Sequence, residues 1–266
     1  MIRAAILGSP VHHSLSPLIH KRAYAELGLD GFYEKFEIEV LDFPQFIDQA
    51  LEDNWTGFSL TMPLKEIAFE SSFECDARSK MIYSANTLIR FGDTFKATST
   101  DVSAFDRLLE RISYSKVAVI GGGGTARAAL GALDGLVETV SVVQRSSKRN
   151  ELLSSCLTAS KIEFLSYESN LSDFDLVIST TPQGASDRFA HSIPQNPGIL
   201  IEALYKPLPT VLSAAWKAQG GVVVDGLDLL VEQALDQISL FTNVSFDYTS
   251  MRELLLAEVR SYISQL

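Results

Sequence analysis

The segment Lys116–Arg127, K-V-A-V-I-G-G-G-G-T-A-R, constrains this chain more than any other. A short apolar run ends in four glycines, Gly121 to Gly124, and a helical pattern follows at once. The spacing of Gly121, Gly123 and Ala126 fits G-x-G-x-x-A. In a parallel α/β sheet the first position permits a tight turn. The second lets the backbone approach a pyrophosphate, and the small third lets the helix pack closely on the strand. The start of the helix offers N–H groups and the positive end of its dipole to phosphate. The mononucleotide pattern G-x-x-x-x-G-K-[ST] is absent, so a P-loop is excluded. The spacing predicts a dinucleotide site.

The next strand says which dinucleotide. A site for NAD carries Asp or Glu about 20 residues beyond the glycines, on the ribose hydroxyls. Here the strand Thr139–Val143 runs into Gln144-Arg145-Ser146-Ser147-Lys148-Arg149, with cations and hydroxyls and no carboxylate. Guanidinium groups form charge-assisted bonds to phosphate, and Arg145 can also stack on an adenine face. The turn therefore predicts a 2′-phosphate, and NADP in preference to NAD.

Elsewhere, short β-rich runs alternate with helical patterns, which argues for an α/β fold with a Rossmann-like second part. In the first part strands are expected at Ile2–Leu7, Tyr33–Ile38, Phe58–Thr61 and Asn86–Arg90, with helices at Pro17–Leu27, Phe43–Glu52 and Leu64–Phe69 and a hairpin turn at Phe91–Thr94. In the second, strands are expected at Val117–Ile120, Thr139–Val143, Ile162–Leu165, Leu176–Thr180, Ile199–Ala203 and Val222–Val224. Helices there are expected at Thr125–Leu133, Lys148–Leu157 and Thr210–Gln219, and the closing helices at Leu227–Phe241 and Ser250–Ile263. At 266 residues the chain has the length of about two domains, and the boundary is expected near Thr100–Asp101.

Charge and cysteine usage narrow the class. A formal charge of −11 repels nucleic-acid backbones. No apolar run has the roughly 18–20 residues of a membrane span. Cys75 and Cys156 belong to no C-x-x-C pair, which disfavours zinc ribbons and disulfide scaffolds and fits a reducing cytoplasm. His12 and His13 are adjacent and lack metal-ligand spacing, so no metal is expected.

Polar groups gather at junctions in the first part: Ser14-Leu-Ser16-Pro17, Ser59-Leu-Thr61-Met-Pro-Leu-Lys65, Asn86-Thr87 and Ser99-Thr100-Asp101. Ligands of α/β sheets bind beyond the carboxyl ends of the strands. Hydroxyls and an amide converging there suit a small polyhydroxylated ligand. Taken singly the same residues are helix starts, with Ser16 and Asp101 as candidate N-caps.

Together these pieces resemble the shikimate dehydrogenase family. They stand in family order across nearly the whole chain: Gly8-Ser-Pro-Val-His-His-Ser-Leu-Ser-Pro17, Gly57-Phe-Ser-Leu-Thr-Met-Pro-Leu-Lys65, Ser84-Ala-Asn-Thr-Leu88, Ser99-Thr-Asp101, Gly121-Gly-Gly-Gly-Thr-Ala-Arg127 and Asp225-Gly-Leu-Asp-Leu-Leu-Val-Glu-Gln233. The resemblance implies NADPH-dependent reduction of 3-dehydroshikimate to shikimate in aromatic amino-acid biosynthesis, with Lys65 and Asp101 as the catalytic pair. It implies substrate contacts from Ser14, Ser16, Ser59, Thr61, Asn86, Thr100, Tyr205 and Gln233. It implies NADP contacts from Gly121, Gly122, Gly123, Gly124, Thr125, Gln144, Arg145, Ser146, Arg149, Thr181, Leu204, Gly226 and Leu229. It further implies a substrate domain of residues 1–100 and 234–266, an NADP domain of 101–233, and an active site in the cleft between them.

Some positions depart from the family pattern. Ser59 stands where Asn is frequent, Ser99 where N-T-D is usual, Gln144 and Ser146 where Asn and Thr are usual, and Leu229 where Met is common. The expected partner is a small molecule, with neither nucleic acid nor membrane, in a cytoplasmic monomer or homodimer. Alternatives are a quinate or dual quinate/shikimate dehydrogenase, a methylenetetrahydrofolate dehydrogenase, and a non-catalytic NADP-binding sensor. The S-x-S and S-A-N-T elements weigh against the folate enzyme. The intact Lys65–Asp101 pair weighs against the sensor.

Overall fold

The computed structural model describes residues 1–70 and 73–265. Residue 266, the end of the expected return segment 234–266, lies outside them. The chain divides into two compact units, unit 1 comprising Met1–Ser103 with Leu230–Leu266, and unit 2 comprising Ala104–Leu229.

Unit 1 carries strands β1 (Ile2–Gly8), β2 (Gly31–Glu37), β3 (Gly57–Leu60), β4 (Glu74–Cys75), β5 (Thr87–Phe91) and β6 (Thr94–Thr98). Between them lie helices α1 (Ser16–Glu26), α2 (Phe43–Glu52), α3 (Leu64–Glu70), α4 (Ala77–Ile82) and α5 (Thr100–Leu109), the last continuing into unit 2. The sheet order is β2-β1-β3-β5-β6-β4. β1 runs parallel to β2 and β3, and β5 is antiparallel to β3 and β6. The apolar run Ala4–Leu7 fits a strand covered on both faces. On one face α2 lays Phe43, Ile47 and Ala50, at helical spacing, against Phe58, Leu60, Leu88 and Phe95. On the other, Ala4 and Ile6 pack with Tyr24, Tyr33 and Phe241.

Unit 2 carries β7 (Val117–Ile120), β8 (Thr139–Gln144), β9 (Lys161–Ser166), β10 (Leu176–Ser179), β11 (Ile199–Glu202) and β12 (Val222–Val224), with α6 (Gly124–Leu133), α7 (Asn150–Ser154) and α8 (Val211–Ala218). Its sheet is parallel throughout, in the order β12-β11-β10-β7-β8-β9. Strand order reverses between β7 and β10, the switch point at which such sheets bind ligands. All residues of β7 and β10 are buried, as the central strands of a doubly covered sheet must be. Helix α9 (Gly226–Thr242) starts in unit 2 and ends in unit 1, and α10 (Tyr248–Ser264) belongs to unit 1 and packs on α1. Among the described residues no helix is long and apolar enough to cross a membrane.

Most expected elements form within a residue or two, and the departures have local causes. The alternation in Thr94–Thr98, with Phe95 and Ala97 inward, makes β6 the second arm of the expected hairpin; Gly92, at φ 61°, sits in its turn. Strand β4 and helix α4 escaped the sequence reading. Helix α4 carries its own signal, because the Asp76 carboxylate accepts from Ser79 N at 2.7 Å and caps it. The helix expected over Lys148–Leu157 is shorter. It begins as a 3-10 turn over Ser147–Arg149, initiated by Ser146 Oγ, and ends at Ser154. Just beyond, the Asp134 carboxylate gathers the N–H groups of Thr158, Ala159 and Ser160 and draws the chain toward β9. Asp101 is not the N-cap of a helix over Val102–Leu109. Helix α5 starts one residue earlier, at Thr100, so Asp101 lies inside its first turn with its carboxylate bonded elsewhere. Nor does Ser16 cap α1 with its side chain. It is the first helical residue, and its N–H donates to Ser14 Oγ at 3.2 Å.

Candidate active site

In unit 1 the ends of several elements bring short polar side chains together. Lys65 is the second residue of α3, directly after the Thr61–Leu64 turn, where Leu64 N donates to Thr61 O at 2.8 Å. The turn packs so tightly on the end of β1 that a Cβ on Gly8 would stand 2.3 Å from Thr61 Cγ2. Lys65 Nζ donates to Asp101 Oδ2 at 2.5 Å, and the pair is partly to largely buried, with side-chain exposures of 18% and 8%. Asn86 enters from the residue before β5. Its Nδ2 donates to Asp101 Oδ1 at 2.8 Å and to Thr100 Oγ1 at 3.0 Å, and lies 3.4 Å from Gln233 Oε1. Its Oδ1 accepts from Thr100 N at 2.7 Å. One amide thus fixes both the start of α5 and the orientation of the Asp101 carboxylate.

Ser14 and Ser16 form their own pair, Oγ to Oγ at 3.2 Å, both buried. Ser59 lies deeper, between Tyr33 and Gln237. Its hydroxyl accepts from Tyr33 OH at 2.5 Å and donates to Gln237 Oε1 at 2.6 Å, so its only hydrogen is committed within the protein. Burial pushes the Tyr33 phenol far above its ordinary value, with hydrogen bonds to Ser59 and Ser16 working the other way. Stacked on Tyr33 at 3.9 Å is His20, also fully buried. Burial pushes its imidazole down to about 3, opposed by the Gln237 amide, so the ring is neutral. Thr87, expected among the polar junction residues, is bonded to Asn86 Oδ1, whereas Tyr33 and Gln237 were not expected near the site. For Gln237 a signal existed: it follows Gln233 by four positions and shares its helix face.

Unit 2 carries the glycine loop between β7 and α6. Gly121 has φ 123°, and a Cβ there would meet Thr180 Oγ1 at 2.4 Å. Gly123, by contrast, has nothing within 4 Å of such an atom, so open space lies over the loop. Gly123 is also the N-cap of α6, and no side chain caps the helix, which leaves the N–H groups at Gly124 and Thr125 directed at whatever occupies that space. At the tip of β8, Arg145 and Ser146 are exposed, and Arg149 Nη1 donates to Gly122 O at 2.9 Å, drawing the basic turn against the loop. Gln144 bonds Asn150. A cavity of about 530 Å³ opens there, with Gln144, Arg145, Ser146, Ser166 and Tyr167 in its walls together with one carboxylate, that of Glu168, which pairs with Arg188.

Open space over uncapped N–H groups, flanked by cations and hydroxyls with no carboxylate at the tip of β8, fits a dinucleotide carrying a 2′-phosphate. Thr181 follows β10 and shares its hydroxyl with Ser186 at 2.5 Å. Leu204 and Tyr205 follow β11. A Cβ on Gly226 would lie 2.5 Å from the Leu204 carbonyl carbon, so only glycine lets α9 start there; Leu229 is buried one turn on. Tyr205 thus belongs to unit 2, whereas the other residues expected at the substrate belong to unit 1. Beneath this loop lies the Glu202 carboxylate, which burial pushes up to about 7 against hydrogen bonds from Ser179, Thr210 and Leu204 N. Among the described residues, no group of three or more His, Cys, Asp or Glu side chains is gathered as a metal ion would need.

A parallel sheet with an open glycine loop in one unit, and an anchored Lys–Asp pair among hydroxyls in the other, is the arrangement expected of a nicotinamide-nucleotide oxidoreductase. Comparison with known proteins narrows the class. Residues 6–88 match the family model for the shikimate dehydrogenase substrate binding domain. A shikimate dehydrogenase (NADP(+)) of Sinorhizobium fredii is 35% identical over 87% of this chain and 86% of its own length. The solved shikimate dehydrogenase of Mycobacterium tuberculosis is 32% identical, with a TM-score of 0.88 over 97% of this chain and 100% of the other. The shikimate 5-dehydrogenase of Thermus thermophilus, solved in complex with NADP(H) and shikimate, is 28% identical, with a TM-score of 0.85 over 97% of this chain and 100% of the other. The chain belongs to the shikimate dehydrogenase family.

Proposed function

We propose that this protein catalyses the reversible, NADPH-dependent reduction of 3-dehydroshikimate to shikimate, with unit 1 holding the substrate and unit 2 the nucleotide. The observation that carries the reading is the Lys65–Asp101 contact at 2.5 Å, anchored by Asn86 among buried hydroxyls. NADPH, when bound, supplies the hydride to the ketone carbon. As the carbon–oxygen π bond breaks, its electron pair goes to oxygen, and a proton must follow. Lys65 hydrogen-bonds that oxygen and gives up the proton, then regains one from solvent; in the oxidation direction it accepts the hydroxyl proton. A donor aimed at developing charge in a sheltered site is worth about 10²–10³-fold in rate. Asp101 holds the Lys65 amine in place and is itself held by Asn86.

Ser14, Ser16, Thr61, Thr100, Tyr205 and Gln233 supply hydroxyl and amide contacts to the ring substituents. A site built of such groups rejects analogues that leave them unpaired. Gly121 to Thr125 cradle the pyrophosphate. Gln144, Arg145, Ser146 and Arg149 hold the adenosine 2′-phosphate, and Thr181, Leu204, Gly226 and Leu229 line the nicotinamide end. The buried free thiols Cys75 and Cys156 support a cytoplasmic setting.

The test is a spectrophotometric assay of nicotinamide reduction that crosses shikimate and quinate with NADP and NAD. Fast reduction is expected only with shikimate and NADP. Preference for quinate or NAD would overturn the assignment of substrate or cofactor. Absence of turnover in every combination would overturn the reading as an enzyme.

A further inference from the structure

Behind the substrate-facing residues of unit 1 lies a second layer of polar groups that run head to tail. Tyr33 on β2 donates to Ser59 on β3, and Ser59 donates to Gln237 on α9. Gln237 Nε2 donates to Thr87 Oγ1 at 3.0 Å, and Thr87 Oγ1 donates to Asn86 Oδ1 at 3.0 Å. The series ends where Asn86 Nδ2 meets Asp101 Oδ1. Tyr33, Thr87 and Gln237 are fully buried, and Ser59 nearly so.

The direction of the series follows from donor and acceptor counts. Each hydroxyl has one hydrogen to give. Gln237 turns its carbonyl to Ser59 and its NH₂ to Thr87. Were the amide reversed, Thr87 would have to spend its hydrogen on Gln237 and would leave Asn86 Oδ1. Burial makes each joint expensive to break, because an orphaned group forfeits its solvation as well as its bond. Bonds in series also polarise one another.

We infer that Gln237 is a positioning residue for the Lys65–Asp101 pair. By holding the Thr87 hydroxyl on Asn86 Oδ1, it keeps the Asn86 NH₂ facing Asp101. Ser59 is a link in this relay and not a substrate contact. The inference rests on the functional reading above, which gives the Lys65–Asp101 pair its role.

The test uses the full-length enzyme and three variants. Gln237→Met preserves length and bulk but removes both bonds; Thr87→Val removes the next joint, and Thr87→Ser keeps it. For Gln237→Met and Thr87→Val, kcat with shikimate should fall about tenfold, while the Kd for NADP, read by fluorescence titration, should stay within about twofold. Thr87→Ser should recover most of what Thr87→Val loses. The double variant Gln237→Met/Thr87→Val should lose no more than either single one, because both cut the same series.

A purely structural role would lower Tm and leave kcat in place. If Gln237→Met turns over within about twofold of the parent, or the two losses multiply, the inference falls. If Gln237→Met does not fold, the Thr87 pair decides: parent kcat in Thr87→Val overturns the relay. A parent protein with no turnover would remove the functional reading and the relay together, whereas an active parent with unaffected variants would remove the relay alone.

Discussion

In unit 1 most of the polar side chains proposed for the substrate, Ser14, Ser16, Thr100 and Gln233, are buried and bonded within the protein, and Thr61 is half-buried. In unit 2 the basic turn proposed for the cofactor is exposed, and the loop before it is bare backbone. The difference follows from how each ligand is recognised. A pyrophosphate can be held by N–H groups of one continuous segment, which any residues could supply provided the path is clear. The proposed site for a ring with several distinct hydroxyls draws instead on side chains of α1, α3, α5 and α9 and of the residues just before α1, α3 and β5, and each needs its own support. Unit 1 therefore concentrates its fragility in side-chain chemistry, and unit 2 in backbone shape.

The sharpest test of that contrast is Lys65→Ala. Removing the amine should lower kcat by about 10²–10³-fold. The Kd for NADP should not change, because the nucleotide site is proposed for unit 2. Steady-state kinetics with a parallel nucleotide titration checks this. A variant with comparable turnover would take Lys65 out of the chemistry, and one with weakened NADP binding would break the division of labour.

Two glycines probe unit 2 in the complementary way. Gly123→Ala introduces a methyl group into open space at ordinary φ, so Tm should hold. The methyl would stand where the pyrophosphate is proposed to approach, and the Kd for NADP should rise about tenfold. Gly121→Ala instead forces an alanine to φ 123° and against Thr180 Oγ1. Strain of about 1–3 kcal/mol should lower Tm by several degrees even without nucleotide. Calorimetry with and without NADP separates the two outcomes. Equal effects from both substitutions would mean that the loop is not shaped for a ligand.

The same contrast explains what could be read in advance. The phosphate loop was legible because strand, glycines and helix occupy the single stretch Lys116–Arg127, and spacing alone carries its geometry. The elements around it were legible by period, apart from short ones such as β4. The substrate side was not legible by spacing. Ser59 and Gln237 are bonded across 178 positions, and Asn86 reaches Gln233 across 147. No local pattern announces such pairs, and Lys65 and Asp101 stood out only through resemblance. Ser59 is expected at the substrate only through the family resemblance. Its bonds to Tyr33 and Gln237 depend on which of two faces a strand residue takes and on what an incoming helix presents there.

The buried ionisable groups give the finest comparison, since the two units respond to pH in opposite senses. His20 in unit 1 is held near 3, below its ordinary 6.5. Between those values the unfolded chain binds a proton that the folded chain refuses, so stability is complete above 6.5 and is lost as pH falls toward 3. Glu202 in unit 2 is held near 7, above its ordinary 4.5. Between 4.5 and 7 the folded chain keeps a proton that the unfolded chain has released, so this contribution is complete below 4.5 and is lost as pH rises through 7. Each is worth up to about 1.4 kcal/mol per pH unit across its window. His20→Phe keeps the stacking on Tyr33 and should flatten the fall in Tm below pH 6.5. Glu202→Gln keeps size and polarity and should flatten the decline between pH 4.5 and 7, with its greatest stabilisation at about pH 8. Parallel shifts of the two variants along the whole pH axis would mean that neither group is buried as described. Opposite slopes would show that unit 1 is limited by acid and unit 2 by base; the two windows overlap from pH 4.5 to 6.5, so in the intact chain the contributions offset each other there and each variant exposes the slope of the other group.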